Sequence, residues 1–353
     1  HIIRKKELLR RLIEASNNIA EVSYDESDPL ETILESAEKQ IYEITTKGGS
    51  SDRLIAFHEM IEETWTRIEK LSENTGELRG VPSGFKDLDN KLSGFQKSDL
   101  IILAARPSVG KTSLALDFAR NAAVKSGIPV AIFSLEMSKE QLVDRMLSAQ
   151  SQVDGWKLRT SRLSLDEEFA RLQQGMHELM KAPIYVDDKA ANSILNMRST
   201  LRRLNSDKPI GLIIVDYLQL MGTAKSYDNM VNQVTEISRS LKALAKEFNA
   251  PVIALSQLSR AVESRGGRPR LSDLRDSGSI EQDADVVMFI HREDKYGENS
   301  EKKNIVEILI EKHRNGPTGI VELFFDDKKT SFLSVEKSEF GDFSLPTVSV
   351  PEF

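Results

Sequence analysis

The chain has 353 residues, of which 39% are hydrophobic, and carries a formal net charge of −7 at pH 7. This length and apolar content suffice for one large core with a smaller appendage, and no apolar run is long enough to cross a bilayer. The absence of cysteine excludes disulfides and thiolate metal sites, and together with the lack of a signal pattern it favours a cytoplasmic protein. The acidic balance argues against a surface that grips nucleic acid everywhere, so any such contact must come from a local basic patch.

The first eighty residues carry helical patterns. Charged residues surround apolar stripes up to about residue 44, which predicts a helical segment over 1–46. Because this pattern begins directly at His1, we expect a fragment or a processed form. A Gly-Gly-Ser-Ser stretch then opens a linker over 47–79, inside which apolar residues recur at three- and four-residue steps and predict an amphipathic helix. Such an isolated helix packs either on its own domain or on a neighbouring subunit, and the sequence leaves both open.

Beyond the linker, apolar β-branched runs alternate with helical stretches, which predicts a mostly parallel sheet buried on both faces. The strand candidates are Leu100–Ala104, Pro129–Leu135, Ile184–Val186, Leu212–Val215, Val252–Leu255 and Val286–Ile290. Two further candidates, Val306–Ile310 and Val321–Phe325, flank an Asn-Gly-Pro turn and predict a hairpin at the end of the sheet. We therefore predict an α/β domain over 80–333, followed by a loose polar tail over 334–353.

The strongest signal is the octapeptide at 105–112, here called the phosphate loop, which follows a predicted strand and opens a predicted helix. That context is required for a loop whose backbone N–H groups cradle nucleotide phosphates at a helix N-terminus. Lys111 should reach the β- and γ-phosphates, and the Thr112 hydroxyl should ligate Mg²⁺. Ala105 stands at the first position, where the general pattern has glycine. ATP is the expected ligand, and the expected binding residues are Ser108, Val109, Gly110, Lys111, Thr112 and Ser113.

Two acidic residues and one amide follow strand ends, where side chains of a parallel sheet line the ligand crevice. Asp216 ends an apolar strand and is expected to hold Mg²⁺ through water. Glu136 ends the neighbouring strand candidate and is placed to orient or deprotonate an attacking water. The alternative for Glu136 is an ordinary helix-terminal carboxylate, because Ser138–Gln141 forms a capping box just after it. Gln257 could sense the γ-phosphate, or it could be a structural amide.

The one locally basic stretch lies between Leu258 and Asp285 and interleaves arginines with glycines. Glycines let a backbone approach closely and arginines bind phosphates, so we expect contact with a nucleic-acid backbone without sequence preference. No aromatic residue is present, which disfavours base stacking. The alternative is a solvated loop balanced by its own acidic residues, Asp273 among them. The expected DNA-binding residues are Arg265, Arg268, Arg275, Asp276 and Gly278.

Lys312 and Arg314 flank His313 at the end of a strand candidate. Two cations on a rigid strand end can act as a finger on a γ-phosphate. A subunit cannot easily reach its own nucleotide from that hairpin, which indicates a site shared between subunits. His313 should point the other way and be structural.

These motifs, taken in order from Gly80 to Phe332, resemble the bacterial replicative helicases of the DnaB type, which have a RecA-like core. The likeness is carried by Gly80–Phe85, Ala104–Thr112, Phe133–Met137, Val215–Leu220, Leu255–Leu258, Asp276–Asp285 and Lys312–Gly316. It implies a homohexameric ring that hydrolyses ATP at subunit interfaces and moves 5′ to 3′ on one DNA strand. It also implies that residues 1–46 are only the last helices of an N-terminal collar, so that binding of primase is weakened, and that a helicase loader is a partner.

The resemblance also assigns roles. Lys111, Thr112, Glu136, Asp216 and Gln257 would serve the nucleotide of one subunit, whereas Lys312 and Arg314 would come from its neighbour. The segment Arg275–Gly278 would face the central channel, with Asp276 where the family is expected to have glutamate. An alanine in the place of Ala105 is usual in the family.

Other proteins share such a core. A filament-forming recombination ATPase would have different DNA loops and no Lys-x-Arg finger, and a clock-type signalling ATPase would carry two domains. A non-enzymatic assembly factor would not need Glu136, and a small-molecule kinase would need an acceptor pocket that has no signature here.

Overall fold

In the computed structural model the described residues are 2–24, 32–34, 36–37, 40–41, 44, 57–73, 78–164, 167–190, 192–221, 230–258, 265, 267–274, 278–295 and 303–335. The chain divides into two compact units, His1–Glu77 and Leu78–Phe353. In the described ranges, no helix is both long enough and apolar enough to span a bilayer.

The first unit contains the helices α1 (Ile2–Tyr24) and α2 (Phe57–Glu73). The predicted amphipathic helix is confirmed as α2, and its apolar residues Phe57, Ile61 and Ile68 are exposed. Leu54, which the pattern assigned to the same helix, lies outside the described residues.

The second unit is built on a sheet that nine strands form within the described ranges, in the order β3-β2-β4-β5-β1-β6-β7-β8-β9. The strands are β1 (Leu100–Ala105), β2 (Val130–Ser134), β3 (Ile184–Asp187), β4 (Leu212–Asp216), β5 (Val252–Gln257), β6 (Val286–His291), β7 (Ile305–His313), β8 (Gly319–Asp326) and β9 (Ser331–Ser334). Pairing is parallel from β3 to β6 and antiparallel from β6 to β9. The predicted mostly parallel sheet is confirmed.

Helices cover both faces of this sheet. They are α3 (Lys86–Leu92), α4 (Lys111–Arg120), α5 (Lys139–Ser151), α6 (Gly155–Arg159), α7 (Glu167–Lys181), α8 (Ile194–Asp207), α9 (Met230–Phe248) and α10 (Gly278–Asp283). A π-helical turn, Asn121–Lys125, continues α4. The side chains of β1 alternate between two cores, with Ile101 and Leu103 on the side of α4 and Leu100 and Ile102 on the side of α9. Burial on both faces explains why these strands read as continuous apolar runs.

The predicted hairpin is confirmed as β7 and β8, which pair from Ile305 with Phe324 to Ile310 with Gly319. The sheet does not end there, because β9 pairs with β8 and forms the edge. This strand has four residues and two of them are serines, so it carries too short an apolar pattern to be recognised in the sequence. This edge strand lies against the helix that follows the phosphate loop, because the Phe332 N–H donates to Asp117 on α4.

Candidate nucleotide and finger sites

The phosphate loop joins β1 to α4 through two residues with positive φ. Ser108 has φ 63° and Gly110, which caps α4, has φ 107°. A β-carbon at Gly110 would come within 3.0 Å of the Phe332 ring in β9, so the position needs glycine on two counts. Ala105, in contrast, is the last residue of β1 and pairs with Gln257. It lies in extended strand, and its side chain is tolerated where the general motif has glycine.

At the head of α4, two side chains converge on Asp216 at the end of β4. Thr112 Oγ1 donates a hydrogen bond to Asp216 Oδ2 at 2.7 Å, and Lys111 Nζ lies 3.9 Å from Asp216 Oδ1. Asp216 is only 3% exposed, and within the described part of the chain its Oδ1 accepts no hydrogen bond. A hydroxyl beside a carboxylate with a spare oxygen is the donor set that Mg²⁺ prefers. Thr112 and Asp216 are 104 positions apart in the sequence. They meet because the carboxyl ends of the parallel strands lie at one edge of the sheet.

Burial and nearby negative charge have opposite effects on the pKa of Lys111. Burial lowers the pKa of its ammonium group, and the nearby carboxylates of Asp216 and Glu136 oppose that effect. Its Nζ also lies 4.5 Å from the centre of the Tyr217 ring, a cation–π contact. A charged phosphate would compensate this desolvated cation further.

Lys111, Thr112 and Glu136 line a cavity of about 470 Å³, which is large enough for a nucleotide. Glu136 lies two residues beyond the end of β2 at Ser134, not in the strand itself. The Leu135 N–H donates to the Asp216 carbonyl at 2.7 Å and fixes this turn. The predicted capping box of Ser138 and Gln141 is present, but α5 begins only at Lys139. Glu136 therefore precedes the cap and points into the cavity, as a residue that handles a water molecule must.

Gln257 ends β5 and lines the same cavity. Its backbone is held by Gln219, whose side-chain amide donates to the Gln257 carbonyl and accepts from the Gln257 N–H, both at 3.4 Å. Gln219 Nε2 also donates to Ser256 Oγ at 3.0 Å. Nearby, buried Arg106 donates to the Leu258 carbonyl at 2.9 Å and ties the phosphate loop to the chain after β5.

Several cavity residues have no signature in the sequence. Arg145 lies on α5, and burial lowers the pKa of its guanidinium group while Asp216 opposes the effect. Phe325, Asp327 and Thr330 come from the end of β8 and the turn to β9. They are far from the phosphate loop in sequence, and only the fold of the sheet edge places them there.

Lys312 and Arg314 are not among the described residues that line this cavity. Lys312 lies near the end of β7, Arg314 just after it. The Lys312 ammonium donates to the Glu281 carbonyl and the Arg314 guanidinium donates to the Gln282 carbonyl, both at the end of α10. The Arg314 side chain remains 46% exposed. His313 lies elsewhere, with its Nδ1 3.3 Å from the Pro317 carbonyl and Gly316 against its ring, in agreement with a structural role.

Two described arginines of the basic stretch, Arg265 and Arg268, are paired with carboxylates. Arg265 binds both oxygens of Asp273, at 2.8 and 2.6 Å, which is the internal balance considered above as the alternative. Arg268 binds both oxygens of Glu307 on β7, at 2.7 Å each. Arg275 and Asp276 lie outside the described residues, and Gly278 opens α10.

Comparisons with known proteins agree over most of the chain. Residues 80–334 match the family described as DnaB-like helicase C terminal domain. The replicative DNA helicase DnaB of Geobacillus stearothermophilus is 46% identical over 347 residues, which are 98% of this chain and 76% of that protein. The replicative DNA helicase DnaC of Bacillus subtilis is 45% identical over 350 residues, with the same coverage. A solved structure of a DnaB-like replicative helicase and its interactions with primase has a TM-score of 0.80 at 35% identity, covering 94% of this chain and 77% of that one.

Proposed function

The chain belongs to the family of DnaB-like replicative DNA helicases, which are ATP-dependent enzymes, and on this premise we propose that it is a ring motor. Six copies would enclose one DNA strand, hydrolyse ATP between adjacent subunits, and move 5′ to 3′ to unwind duplex at the replication fork. The observation that carries this proposal is the separation of the two halves of the site. The phosphate loop lines one cavity together with Glu136 and Gln257, and Thr112 of the loop binds Asp216. Lys312 and Arg314 are not among the described residues that line that cavity.

The residues at the head of α4 fit a magnesium ion. Thr112 Oγ1 and the spare Oδ1 of Asp216 would hold it, directly or through water. When bound, the ion would neutralise charge on the β- and γ-phosphates. Lys111 would add its own charge to the same oxygens, and Ser108, Val109, Gly110 and Ser113 would contribute loop and helix N–H groups.

Glu136 would act on the attacking water, and Gln257 would detect the γ-phosphate. A carboxylate at the mouth of the cavity can orient water or accept its proton. Gln257 ends β5 just before the basic stretch, so its side chain could relay the presence of the γ-phosphate to that stretch. Gln219 supports this role, because it holds the Gln257 backbone from both sides.

Lys312 and Arg314 would complete the site of the neighbouring subunit. Lys312 lies near the end of β7 and Arg314 directly follows that strand. Arg314 keeps nearly half of its side chain exposed. A finger supplied in trans stabilises transition-state charge, and its loss lowers the rate by roughly 10³ to 10⁵.

The remaining partners follow from family membership. Single-stranded DNA would contact Arg265, Arg268 and Arg275–Gly278, and work on the chromosome would place the protein in the cytoplasm. We propose 1–46 as a helical collar segment, 47–79 as the linker, 80–333 as the motor and 334–353 as a tail. A helicase loader and primase would be partners. A recombination ATPase is not favoured, because the similarity to replicative helicases extends over 98% of the chain.

The central test measures ATP hydrolysis with and without single-stranded DNA, alongside unwinding of a forked duplex. The parent chain should hydrolyse ATP faster with DNA, whereas Lys111→Ala should be inactive because it removes the cation at the phosphates. Lys111→Ala mixed with Arg314→Ala should regain part of the hydrolysis, because each variant retains the half that the other lacks. Absence of recovery at every mixing ratio would contradict the shared site.

A further inference from the structure

The finger cations rest on a defined seat, consisting of the Glu281 and Gln282 carbonyls at the end of α10 together with the carboxylate of Asp285. The last carbonyls of a helix have no partner within it, and cationic side chains satisfy them well. Lys312 donates to the first carbonyl and Arg314 to the second. Each contact uses one donor of a group that has several. Both cations are therefore held while other donors remain available.

Asp285 holds Arg314 by backbone and side chain. The Arg314 N–H donates to the Asp285 carbonyl at 2.9 Å, and Arg314 Nη1 lies 3.5 Å from Asp285 Oδ1. Asp285 is itself fixed, because its Oδ2 accepts from the Leu100 N–H at 2.8 Å and from the Lys242 ammonium. This carboxylate also offsets the repulsion between Lys312 and Arg314. That repulsion adds to partial burial in lowering the pKa of Lys312.

The seat is braced by α9. Ser238 Oγ donates to Asp283 Oδ2 at 2.6 Å, and the hydroxyls of Thr235 and Ser279 are hydrogen-bonded at 2.8 Å. Ser238 is fully buried, so water cannot replace it at that position. Thr235 and Ser238 lie on one face of α9 and set where the end of α10 stands. Among the described residues, no hydrogen bond joins Thr235 or Ser238 to Lys312 or Arg314.

We propose that the α10 seat, braced by Ser238 and Thr235, positions Lys312 and Arg314 for the nucleotide of the adjacent subunit. This inference rests on the proposed shared site. Lysine and arginine side chains lose much rotamer freedom when they bind, and the seat removes part of that cost beforehand. Ser238 and Thr235 act only through α10 and are positioning residues.

The test combines Ser238→Ala with Thr235→Val in the full chain, which leaves the phosphate loop and the finger intact. We expect kcat for DNA-stimulated ATP hydrolysis to fall by up to about 100-fold, the size of effect that a misplacement of about 1 Å produces. Binding of a fluorescent ADP should remain unchanged, because the double variant retains its own cavity. Ser240→Ala on the same helix is the matched control and should retain the parent rate.

Subunit mixing separates a misplaced finger from a damaged cavity. Lys111→Ala subunits bring an intact finger, so they should rescue the double variant to the same extent as they rescue Arg314→Ala. A parent-like kcat in the double variant would overturn the proposal. So would rescue of Arg314→Ala without rescue of the double variant. If Arg314→Ala is not rescued either, the proposal of a site shared between subunits is wrong, and the proposed role of the α10 seat is wrong with it.

Discussion

Asp99, the residue before β1, is a carboxyl group whose ionisation opposes folding. Burial raises its pKa from 3.8 to about 6, and the neighbouring Asp285 adds to the shift. The folded chain therefore holds a proton that the unfolded chain has released between about pH 4 and pH 6. By linkage, the free energy of unfolding falls as pH rises through that window and stays lower above it.

We predict that Asp99→Asn stabilises the protein at pH 7.5 and loses that advantage by about pH 4. Converting the whole pKa shift of Asp99 into free energy of unfolding would give about 3 kcal/mol. Because Asp99 is partly exposed to solvent, we expect a gain of about 1 kcal/mol. Urea unfolding at a series of pH values would measure the difference. Asp87→Asn, at an exposed position on α3, serves as control and should show no comparable pH dependence. A gain that does not vary with pH would rule out this cause.

At the same scale, the sequence predicts the residues that a local motif or a strand end identifies. Lys111 and Thr112 follow from the loop between strand and helix, and the contact of Thr112 with Asp216 follows from the common edge of parallel strands. Arg145 could not be predicted in this way, because it belongs to no local motif. Gln219 lies within the Val215–Leu220 motif, but its contacts with the Gln257 backbone depend on the pairing of distant strands. The pairing of Arg268 with Glu307 on β7 depends on how the chain after β5 lies against the sheet, which no periodicity encodes.

Between elements, the connection of α4 to β9 depends on one buried carboxylate. Asp117 on α4 accepts from the Phe332 N–H at 2.7 Å, from Ser331 Oγ at 3.2 Å and from Arg120 at 2.8 Å. Burial raises the pKa of Asp117, and the charge of Arg120 opposes that effect. Through this contact, β9 is held where the Phe332 ring backs Gly110 of the phosphate loop.

We predict that Asp117→Asn lowers the free energy of unfolding by about 3 kcal/mol. An asparagine amide has one acceptor oxygen where the carboxylate has two, so its NH₂ group would face either the Phe332 N–H or the Arg120 guanidinium and leave a buried donor unpaired. ADP affinity should fall as well, since β9 would no longer hold Phe332 against the loop. Calorimetry with and without ADP would measure both effects. Asp207→Asn, at the exposed end of α8, is the control. Normal ADP affinity in a destabilised Asp117→Asn would show that β9 does not support the loop.

The parallel strands are predicted to within one or two residues of their observed bounds. Five of the six are buried along most of their length, and a continuous apolar run leaves few alternatives. The sixth, β3, is only partly buried and is recognised from its short apolar run. Strand β7 extends to His313, beyond the apolar residues from which it is predicted. The reason is that its pairing with β6 continues through polar residues.

For the molecule as a whole, a net charge of −7 means that DNA must be attracted locally against a repulsive background. Arg268 is the most exposed of the paired arginines in the basic stretch, with 55% of its side chain accessible. In this chain Glu307 neutralises it. A DNA phosphate would have to compete with that carboxylate for the same guanidinium.

We predict that Glu307→Gln strengthens binding of single-stranded DNA at low salt by several-fold. One more arginine would then pair with phosphate, and the slope of log affinity against log salt should steepen by about 0.7. Fluorescence anisotropy in the presence of a non-hydrolysable ATP analogue would measure it. The double variant Glu307→Gln with Arg268→Ala should lose the gain. An unchanged salt slope in Glu307→Gln would argue against Arg268 as a DNA contact.

The edge strand β9 also bears on how the protein matures during translation. A nascent chain would possess the phosphate loop long before it could use it, since the ring that backs Gly110 is contributed by Phe332, more than two hundred residues later. Nucleotide capture would wait until the ribosome has released that last strand. Incomplete subunits would then bind cellular ATP poorly. A stalled or shortened product ending before Ser331 would not hydrolyse ATP.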